Sequence, residues 1–592
     1  MSDFDPLKVL FGCRRRRYAA AMQGADLGLL AGDKMMRVFT NLWLAAGAIS
    51  VAMCAASPAF AQAPVQQKVE AVKPRAGANP APARAAGEGA GPFHKMVIRG
   101  AMLIDGTGAP PRGPVDIVVE NNRIAEILDA GTPGLPMKQG REPRDFDHEI
   151  DAAGMWVLPG FIDTHVHGSS ADKAPDLGYS YKLWLAHGVT SVRGVNLAPW
   201  NVSTIEKARS ARNEIVAPRI FDYQRVGQGW DKGPVLTPQQ AREWVRWAAK
   251  NNIDGIKFGI GPTEGPEIFK AAIDEAKKLG LGTTAHLTQT GVAMMNARQA
   301  GEAGLGTVTH FYGHMESLLK NGAIQDYSTD YSFNDEQYRF AEVADIWDDV
   351  YEPGSKEWTD YLQAQKDRGV TFDPTMTIYA ASRDLMRARN ADWHNEYTMP
   401  QLWDFFQSSR ENHGSYFFDW TTKQETQWRN FYARYMRLLN DYKNIGGRVT
   451  TGTDSGFIFK TYGFGFPEEL EMLQEAGFNP HQVIRAATMN GAQTLYEPKG
   501  IIDPPIGMVR VGKLADLVIV KENPLQNFKT LYGTGTLRLN EQTQKLERVG
   551  GVSYTVKDGI VYDAKRLLAD VAAMVAAEKK RMGWPEQGVP RP

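Results

Sequence analysis

Two histidines separated by one residue, His165 and His167, follow the apolar run Val157-Leu-Pro-Gly-Phe-Ile-Asp-Thr. Such a run is typical of a buried β-strand, in which side chains i and i+2 point to the same side. Both imidazoles would therefore project from the same side of one strand end, where they can chelate a single metal ion. A short histidine pair is weak evidence on its own. The strand before it favours a functional site, because barrel enzymes place their ligands where strands end.

Four further side chains follow or end other strand-like runs, namely Lys257, His286, His310 and Asp454. Taken singly, His286 is explained as a core histidine and Asp454 as the cap of a loop. The ammonium of Lys257 lies within an apolar run, where burial is costly unless the charge is paired or neutralised. Only 11 histidines occur in the chain, and four of them fall at predicted strand ends. Together the six residues favour a metal site.

Histidine nitrogen and carboxylate oxygen are ligands that suit Zn²⁺ and similar divalent ions. We expect His165, His167 and Asp454 to bind one ion, and His286 and His310 to bind a second. Two ions about 3.5–4 Å apart require an anionic bridge. A desolvated lysine loses its proton readily and can add carbon dioxide. The sequence therefore predicts a carbamate on Lys257 that bridges the two metals.

Strand-like runs alternate with amphipathic helices, a pattern that predicts a parallel α/β fold. The eight predicted strands are Trp156–Asp163, Val189–Gly194, Arg219–Tyr223, Gly255–Gly259, Gly282–Ala285, Gly306–Thr309, Val370–Pro374 and Arg448–Gly452. Helices are predicted over Gln239–Asn251, Glu267–Leu279 and Glu468–Ala476. Eight such units predict a TIM-type (β/α)8 barrel over residues 158–496.

Short alternating strands before and after the barrel predict a small β-sandwich built from both chain ends, residues 93–157 and 497–565. A long segment rich in aromatic residues, about 315–445, interrupts the barrel. It is interpreted either as a helical subdomain that buries its rings as a core of its own, or as a lid over the site. The two interpretations are compatible. Residues 566–592 form a C-terminal tail.

The first 92 residues are predicted to lie outside the folded enzyme. Residues 1–34, with the Arg14–Arg17 run, match no native pattern well and are interpreted as a non-native extension. Residues 35–61 resemble a signal peptide with cleavage after Ala61, which predicts a periplasmic or secreted protein. Residues 62–92 are rich in Ala, Pro and Gly and predict a flexible linker. The only two cysteines, Cys13 and Cys54, precede the cleavage site, which excludes cysteine catalysis and disulfides from the mature protein.

The overall composition is that of an ordinary globular protein. Apolar residues make up 43% of the chain and charged residues 23%, and the net charge is −1. A protein with so little net charge is not expected to attract nucleic acid electrostatically. No run after residue 62 is long and apolar enough to predict an integral membrane span once the signal is removed. The oligomeric state is left open, with a homo-oligomer as one option.

The six residues and their order resemble the amidohydrolase superfamily, in the branch with two metals and a carboxylated lysine. That branch has His-x-His after strand one, lysine after four, histidines after five and six, and aspartate after eight. Here these positions are His165, His167, Lys257, His286, His310 and Asp454. The stretch Leu158-Pro-Gly-Phe-Ile-Asp-Thr-His and the stretch Gly512-Lys-Leu-Ala-Asp-Leu-Val-Ile-Val also resemble the family. The resemblance covers about residues 94–565 and is nearest to prolidase-like and ochratoxin-amidase-like members.

The resemblance implies hydrolysis of the C–N amide bond of a dipeptide or N-acyl amino acid by a metal-bridged hydroxide, with Asp454 as the proton carrier. Lactonase, phosphotriesterase or deaminase activity on the same scaffold is an alternative, as is an inactive periplasmic binding protein. Three residues near the predicted strand ends are candidates for binding a substrate carboxylate or carbonyl, with a structural role as the alternative. They are Arg193, Tyr312 and His314.

Overall fold

The computed structural model describes residues 77–259, 264–289, 291–320, 336–408, 414, 417 and 419–585. The predicted extension, the predicted signal peptide with Cys13 and Cys54, and most of the predicted linker lie outside the described residues. So do Tyr416 and Phe418 of the insertion and residues 586–592 of the predicted tail. Across the described ranges, no helix is both long enough and apolar enough to cross a membrane.

The described elements are numbered here in chain order. The strands are β1 Lys95–Leu103, β2 Arg112–Glu120, β3 Arg123–Asp129, β4 His148–Asp151, β5 Trp156–Pro159, β6 Phe161–Val166, β7 Val189–Val195, β8 Arg219–Arg225, β9 Gly255–Gly259, β10 Gly282–His286, β11 Thr307–Thr309, β12 Thr371–Asp373, β13 Leu517–Val520, β14 Thr536–Asn540, β15 Lys545–Val549, β16 Val552–Lys557 and β17 Ile560–Asp563. The α-helices are α1 Gly178–Ala186, α2 Trp200–Ala211, α3 Pro238–Lys250, α4 Pro266–Lys278, α5 Ala297–Glu302, α6 Glu336–Val343, α7 Lys356–Asp367, α8 Met376–Tyr379, α9 Leu385–Arg389, α10 His394–Tyr397, α11 Pro400–Phe406, α12 Thr422–Asn444, α13 Gly465–Glu475, α14 Pro480–Arg485, α15 Gly491–Tyr496 and α16 Ala564–Met582.

Seven parallel strands, β6 to β12, form the central sheet, and each pairs with the next in chain order. The predicted eighth strand, residues 448–452, joins the two edges of this sheet. The N–H of Thr450 donates to the carbonyl of Phe372 on β12 (3.0 Å), and the N–H of Thr164 on β6 donates to the carbonyl of Thr451 (2.8 Å). The prediction of a TIM-type barrel is thereby confirmed.

One predicted barrel strand is divided. The run Trp156–Asp163 is broken at Gly160, so that β5 belongs to another sheet and β6 to the barrel. A Cβ on Gly160 would lie 2.1 Å from the hydroxyl oxygen of Thr190, so only glycine allows this approach. The other predicted strands of the barrel lie within a few residues of the observed ones.

The barrel helices begin where the sequence provides start signals. Before α3, the hydroxyl of Thr237 accepts a hydrogen bond from the N–H of Gln240 (3.2 Å), and Pro238 occupies the first helical position. The helix α4 also has a proline, Pro266, at its first position. The three predicted helices are confirmed within three residues, as α3, α4 and α13.

A second sheet is built from both ends of the described chain, as predicted. Its strand order is β17-β16-β13-β5-β1-β2-β3, with β4 paired to β1. The antiparallel pairing of β13 with β5 joins the two chain ends, for example at Val518 and Leu158. A separate apolar cluster, including Ile98, Ile117 and Ile519, lies under this sheet. The strands β14 and β15 form an additional hairpin.

The aromatic insertion packs directly on the barrel. Phe311 follows β11, and its ring centre lies 5.0 Å from that of Phe431 and 5.6 Å from that of Trp428, both on α12. These rings belong to the same apolar cluster as the barrel residues Val192 and Val308. The interpretation that the insertion has a core of its own is therefore corrected, because its rings fill the space beside the barrel.

Part of the predicted linker is packed rather than flexible. The N–H of Ala81 donates to the carboxylate of Glu206 on α2 (3.1 Å), and the N–H of Arg84 donates to the carbonyl of Glu214 (2.8 Å). Ala78 and Ala81 are buried. The prediction of a flexible linker is thus wrong for residues 77–92, since small residues also suit close packing against a helix.

Candidate active site

The six predicted metal ligands meet at the carboxyl end of the barrel. They lie in or just after β6, β9, β10, β11 and the eighth strand segment, and they are His165, His167, Lys257, His286, His310 and Asp454. Because all strands of the barrel run in parallel, their carboxyl ends face the same side, where barrel enzymes carry their sites. Metal binding by these residues stays a prediction, whereas their proximity is observed.

Asp454 lies among three imidazoles. Its Oδ1 atom is 3.9 Å from Nε2 of His165 and 3.5 Å from Nε2 of His167. Its Oδ2 atom is 3.8 Å from Nε2 of His310. These separations exceed hydrogen-bonding distance, and a cation with ligand distances of about 2.0–2.2 Å fits between such donors. The carboxylate is held there because the N–H of Asp454 donates to the carbonyl of His165 (2.8 Å).

Lys257 and His286 complete the cluster from the other side. The Nζ atom of Lys257 lies 3.5 Å from Nε2 of His165, and the side chain is buried. Burial lowers the pKa of Lys257 to about 7, against the opposing effect of the Asp454 carboxylate. The ring centre of His286 lies 4.7 Å from that of His310.

Backbone strain is concentrated at the site. His310 and Asp454 have positive φ angles, 64° and 49°, and so does Thr375 at 44°. Residues other than glycine adopt this left-handed region rarely, and such strain is found mainly at functional sites. With this backbone, the hydroxyl of Thr375 contacts Nδ1 of His310. The other ring nitrogen of His310, Nε2, faces Asp454.

The donor set fits a divalent cation. Burial lowers the pKa of His165, His286 and His310 well below its usual value, so these rings are neutral, as metal binding requires. Ligand atoms of His165, His310 and Asp454 lie within 4.8 Å of one another. Within the described part of the chain, Nε2 of His310 is buried and has no hydrogen-bond partner, a costly state that a bound cation would relieve.

The three predicted substrate contacts have different outcomes. Arg193 has no exposed surface, and its guanidinium donates to Thr307 and to Asp373 inside the barrel, so the predicted contact with substrate is corrected. His314 is also corrected, because it is buried behind the site with Nδ1 2.6 Å from the hydroxyl of Tyr361. Burial lowers the pKa of His314 to about 3.

Tyr312 does lie against the site. Its ring centre is 4.8 Å from that of His286, and its hydroxyl lies 3.2 Å from the side-chain nitrogen of Gln289. The ring thus forms part of the wall beside the predicted metal ligands. Contact with a substrate remains a prediction for this residue.

Two guanidinium groups near the site were missed from the sequence. Arg225 ends β8 and lies in register with Lys257 on β9, and Arg339 is buried on α6 of the insertion. Both act electrostatically on His286, where they add to the lowering of its pKa by burial, His310 and Lys257. Arg225 could have been found from the alternation of side chains along β8. It lies two residues beyond Tyr223 and therefore points to the same side of the strand. No local pattern signals Arg339.

Residues 156–561 match the model of the amidohydrolase family. The chain belongs to this family. The resemblance inferred from the six ligands is thereby confirmed at the level of the amidohydrolase family. Members of the family generally use divalent metals, in agreement with the cluster of His165, His310 and Asp454.

Curated relatives match this amidohydrolase over short stretches. N-acyl-D-aspartate deacylase of Alcaligenes xylosoxydans xylosoxydans is 36% identical over 106 residues, which cover 18% of this chain and 19% of that protein. Dihydroorotase of Trichlorobacter lovleyi is 26% identical over 213 residues, covering 34% of this chain and 45% of that one. The chain thus spans less than half the length of these relatives.

Solved structures match over most of the chain. A Xaa-Pro dipeptidase with methionine bound in its active site superimposes with a TM-score of 0.51 at 19% identity, covering 79% of this chain and 100% of the other. Ochratoxinase of A. niger superimposes with a TM-score of 0.50 at 15% identity, covering 80% of this chain and 96% of the other. At these identities the similarity establishes the fold.

Replacement of Lys257 tests its part in metal binding. We expect Lys257→Met to lose at least one bound ion per chain, because the predicted bridging ligand is removed. Short carboxylates added to the variant should restore part of the metal content and activity. Plasma mass spectrometry of the dialysed protein measures the metal content. Lys557→Met is the matched control, because burial also lowers the pKa of Lys557, to about 8, while its Nζ donates to Ser210 and Asn213. Equal metal content in all three proteins would contradict the bridge.

Proposed function

We propose that this amidohydrolase is a metal-dependent enzyme that cleaves the C–N amide bond of a small substrate, such as a dipeptide or an N-acyl amino acid. The main support for the proposal is that four imidazoles, one lysine and one carboxylate lie close together at the carboxyl end of the barrel. The deacylase and dipeptidase similarities support an amide substrate.

The proposed cofactors are two divalent ions, with zinc as the metal and a carbamate on Lys257 as the bridge. His165, His167 and Asp454 would hold one ion, and His286 and His310 would hold the other. Bound divalent cations lower the pKa of coordinated water and polarise a carbonyl group. The neutral state of the buried imidazoles and the lowered pKa of Lys257 support this assignment.

Asp454 is the proposed proton carrier. Its side chain is 13% exposed, so its carboxylate can be reached from the mouth of the barrel while it stays within 4 Å of the three imidazoles. A carboxylate oxygen in this position can accept the proton of the attacking water and return it to the leaving nitrogen. Proton return matters for amides, because an unprotonated amine is a poor leaving group.

A free carboxylate on the substrate is part of the proposal. Arg225 and Arg339 place two positive charges near His286, and guanidinium groups bind carboxylates through paired hydrogen bonds. The helix α6 of the insertion carries Arg339, and its neighbour Phe340 packs on Tyr379. Tyr379 in turn lies against His310, so a helix packed this close to the site would favour small substrates.

A panel of substrates tests the function. We expect the purified enzyme to hydrolyse N-acyl amino acids or Xaa-Pro dipeptides faster than lactones, aryl phosphotriesters or aminopurines, and faster than the same N-acyl amino acids with the carboxylate converted to an amide. Removal of metal by a chelator should abolish the activity, and zinc should restore it. Faster turnover of a lactone, phosphotriester or aminopurine would favour the alternative reactions. Absence of both metal and hydrolysis would favour an inactive binding protein.

Replacement of Asp454 tests its role as proton carrier. We expect Asp454→Asn to keep its metal through the amide oxygen but to lose about 10²–10⁴-fold in kcat, the usual contribution of a general acid and base. Metal analysis and steady-state kinetics are measured on the same preparation. Turnover at the wild-type rate with full metal content would contradict the assignment.

Export of the protein is proposed from residues 35–61, which lie outside the described residues. The supporting pattern is a basic start at Met35-Met36-Arg37, the apolar stretch 42–56 and small residues before Ala61. We expect protein recovered from a periplasmic fraction to begin at Gln62, and intact-mass measurement checks this. An unprocessed N-terminus in that fraction would contradict the cleavage site.

A further inference from the structure

A buried ion pair crosses the interior of the barrel beneath the candidate metal site. Arg193 on β7 and Asp373 at the end of β12 have no exposed surface, and Nη2 of Arg193 lies 2.9 Å from Oδ2 of Asp373. Burying two charges is costly unless each has further polar partners. Nε of Arg193 donates to the carbonyl of Thr164, and Nη1 donates to the hydroxyl of Thr307 (3.1 Å).

The carboxylate of this pair also faces a predicted metal ligand. Oδ2 of Asp373 lies 3.6 Å from Nδ1 of His165. That nitrogen is buried and has no hydrogen-bond partner among the residues that the structure describes. The opposite nitrogen, Nε2, faces Lys257 at 3.5 Å and Asp454 at 3.9 Å. The two sides of the ring thus have different environments, a carboxylate on one side and the metal-binding cluster on the other.

Two other histidines of the cluster have uncharged oxygen atoms near Nδ1. Nδ1 of His167 lies 3.3 Å from the carbonyl of Asn196, and Nδ1 of His310 contacts the hydroxyl of Thr375. A carboxylate is a stronger acceptor than either and increases the basicity of the imidazole that it contacts. Of these three rings, His165 is the one whose Nδ1 faces a charged group.

We propose that Asp373, held in place by Arg193, is a positioning residue that keeps the proton of His165 on Nδ1 and so strengthens metal binding at Nε2. This inference rests on the proposed metal-dependent function. It assigns to Arg193 an indirect role in place of the substrate contact predicted from the sequence. Hydrogen bonds hold the carboxylate in this orientation, because Thr164 donates to Oδ1 and Arg193 donates to Oδ2 of Asp373. A Cβ on Gly452 would lie 2.4 Å from Oδ1, so only glycine leaves room for the carboxylate there.

The test compares zinc affinity in Asp373→Asn and in a matched control. Asn keeps the size of the side chain and an acceptor for the hydroxyl of Thr164, which lies 3.0 Å from Asp373, but it removes the charge. Asp222→Asn is the control, because Asp222 is equally buried on β8 and accepts hydrogen bonds from Ser203 and Gln224, which are not site residues. Zinc affinity is measured by equilibrium competition with a chromogenic chelator, and the visible absorption of the Co²⁺ protein is recorded in parallel.

We expect Asp373→Asn to bind zinc about 10–100-fold more weakly, the usual effect of removing a partner of a metal-binding histidine, and to show an altered Co²⁺ spectrum. Asp222→Asn should retain the wild-type affinity and spectrum. Wild-type affinity in a folded Asp373→Asn protein would overturn the inference, as would an equal loss in the control. If Asp373→Asn does not fold, Arg193→Lys decides the question, because it keeps the charge but loses the fork of donors, and it should weaken zinc binding. An unchanged affinity in Arg193→Lys would then overturn the inference.

The same experiment separates failure of the inference from failure of the proposed function. If the wild-type protein binds no zinc or Co²⁺, the metal-dependent function itself fails. If the wild-type protein binds zinc and Asp373→Asn binds it equally well, the function stands and only the role of Asp373 fails.

Discussion

Hydrogen bonds from the segment 448–454 to both edges of the barrel sheet hold the catalytic candidates together. The carbonyl of Thr451 accepts from Thr164 on β6, and the N–H of Asp454 donates to the carbonyl of His165. These contacts fix the carboxylate relative to a ligand 289 residues earlier in the chain. The parallel direction of all strands then brings the remaining ligands to the same end, because every strand has its carboxyl end there.

The burial of charged groups in the barrel interior has a cost in free energy. The barrel interior contains Lys257, the Arg193–Asp373 pair and several neutral imidazoles, all nearly inaccessible to solvent. Each isolated charge would cost several kcal/mol in such an environment. The protein reduces this cost by pairing Arg193 with Asp373 and by lowering the pKa of Lys257 to about 7. Neutral imidazoles and a lysine that loses its proton readily are side chains suited to binding cations, because metal ligands must be deprotonated.

The insertion packs against the barrel beside the candidate site. Its rings extend the barrel core outward through Phe311 and Trp428, and its helix α6 carries Arg339 near His286. Phe311 and Trp428 share one apolar cluster with the barrel, so this packing is part of the fold. The candidate metal site thus belongs to the barrel, and the insertion contributes Arg339 close to it.

The sequence by itself determined the barrel, the second sheet and the six residues of the cluster, because each of these residues lies in or just after an apolar run typical of a strand. It did not determine what each polar residue faces. Arg193 lies near the end of a predicted strand, as the candidate ligands do, yet its guanidinium is paired with Asp373 inside the barrel, and only contacts between distant strands reveal this. Arg339 lies in a helix whose local pattern carries no sign of the site. The end of a strand can be recognised from the local sequence. The burial of a side chain and its electrostatic partners depend on which distant segments of the chain pack together, so only the tertiary structure decided them.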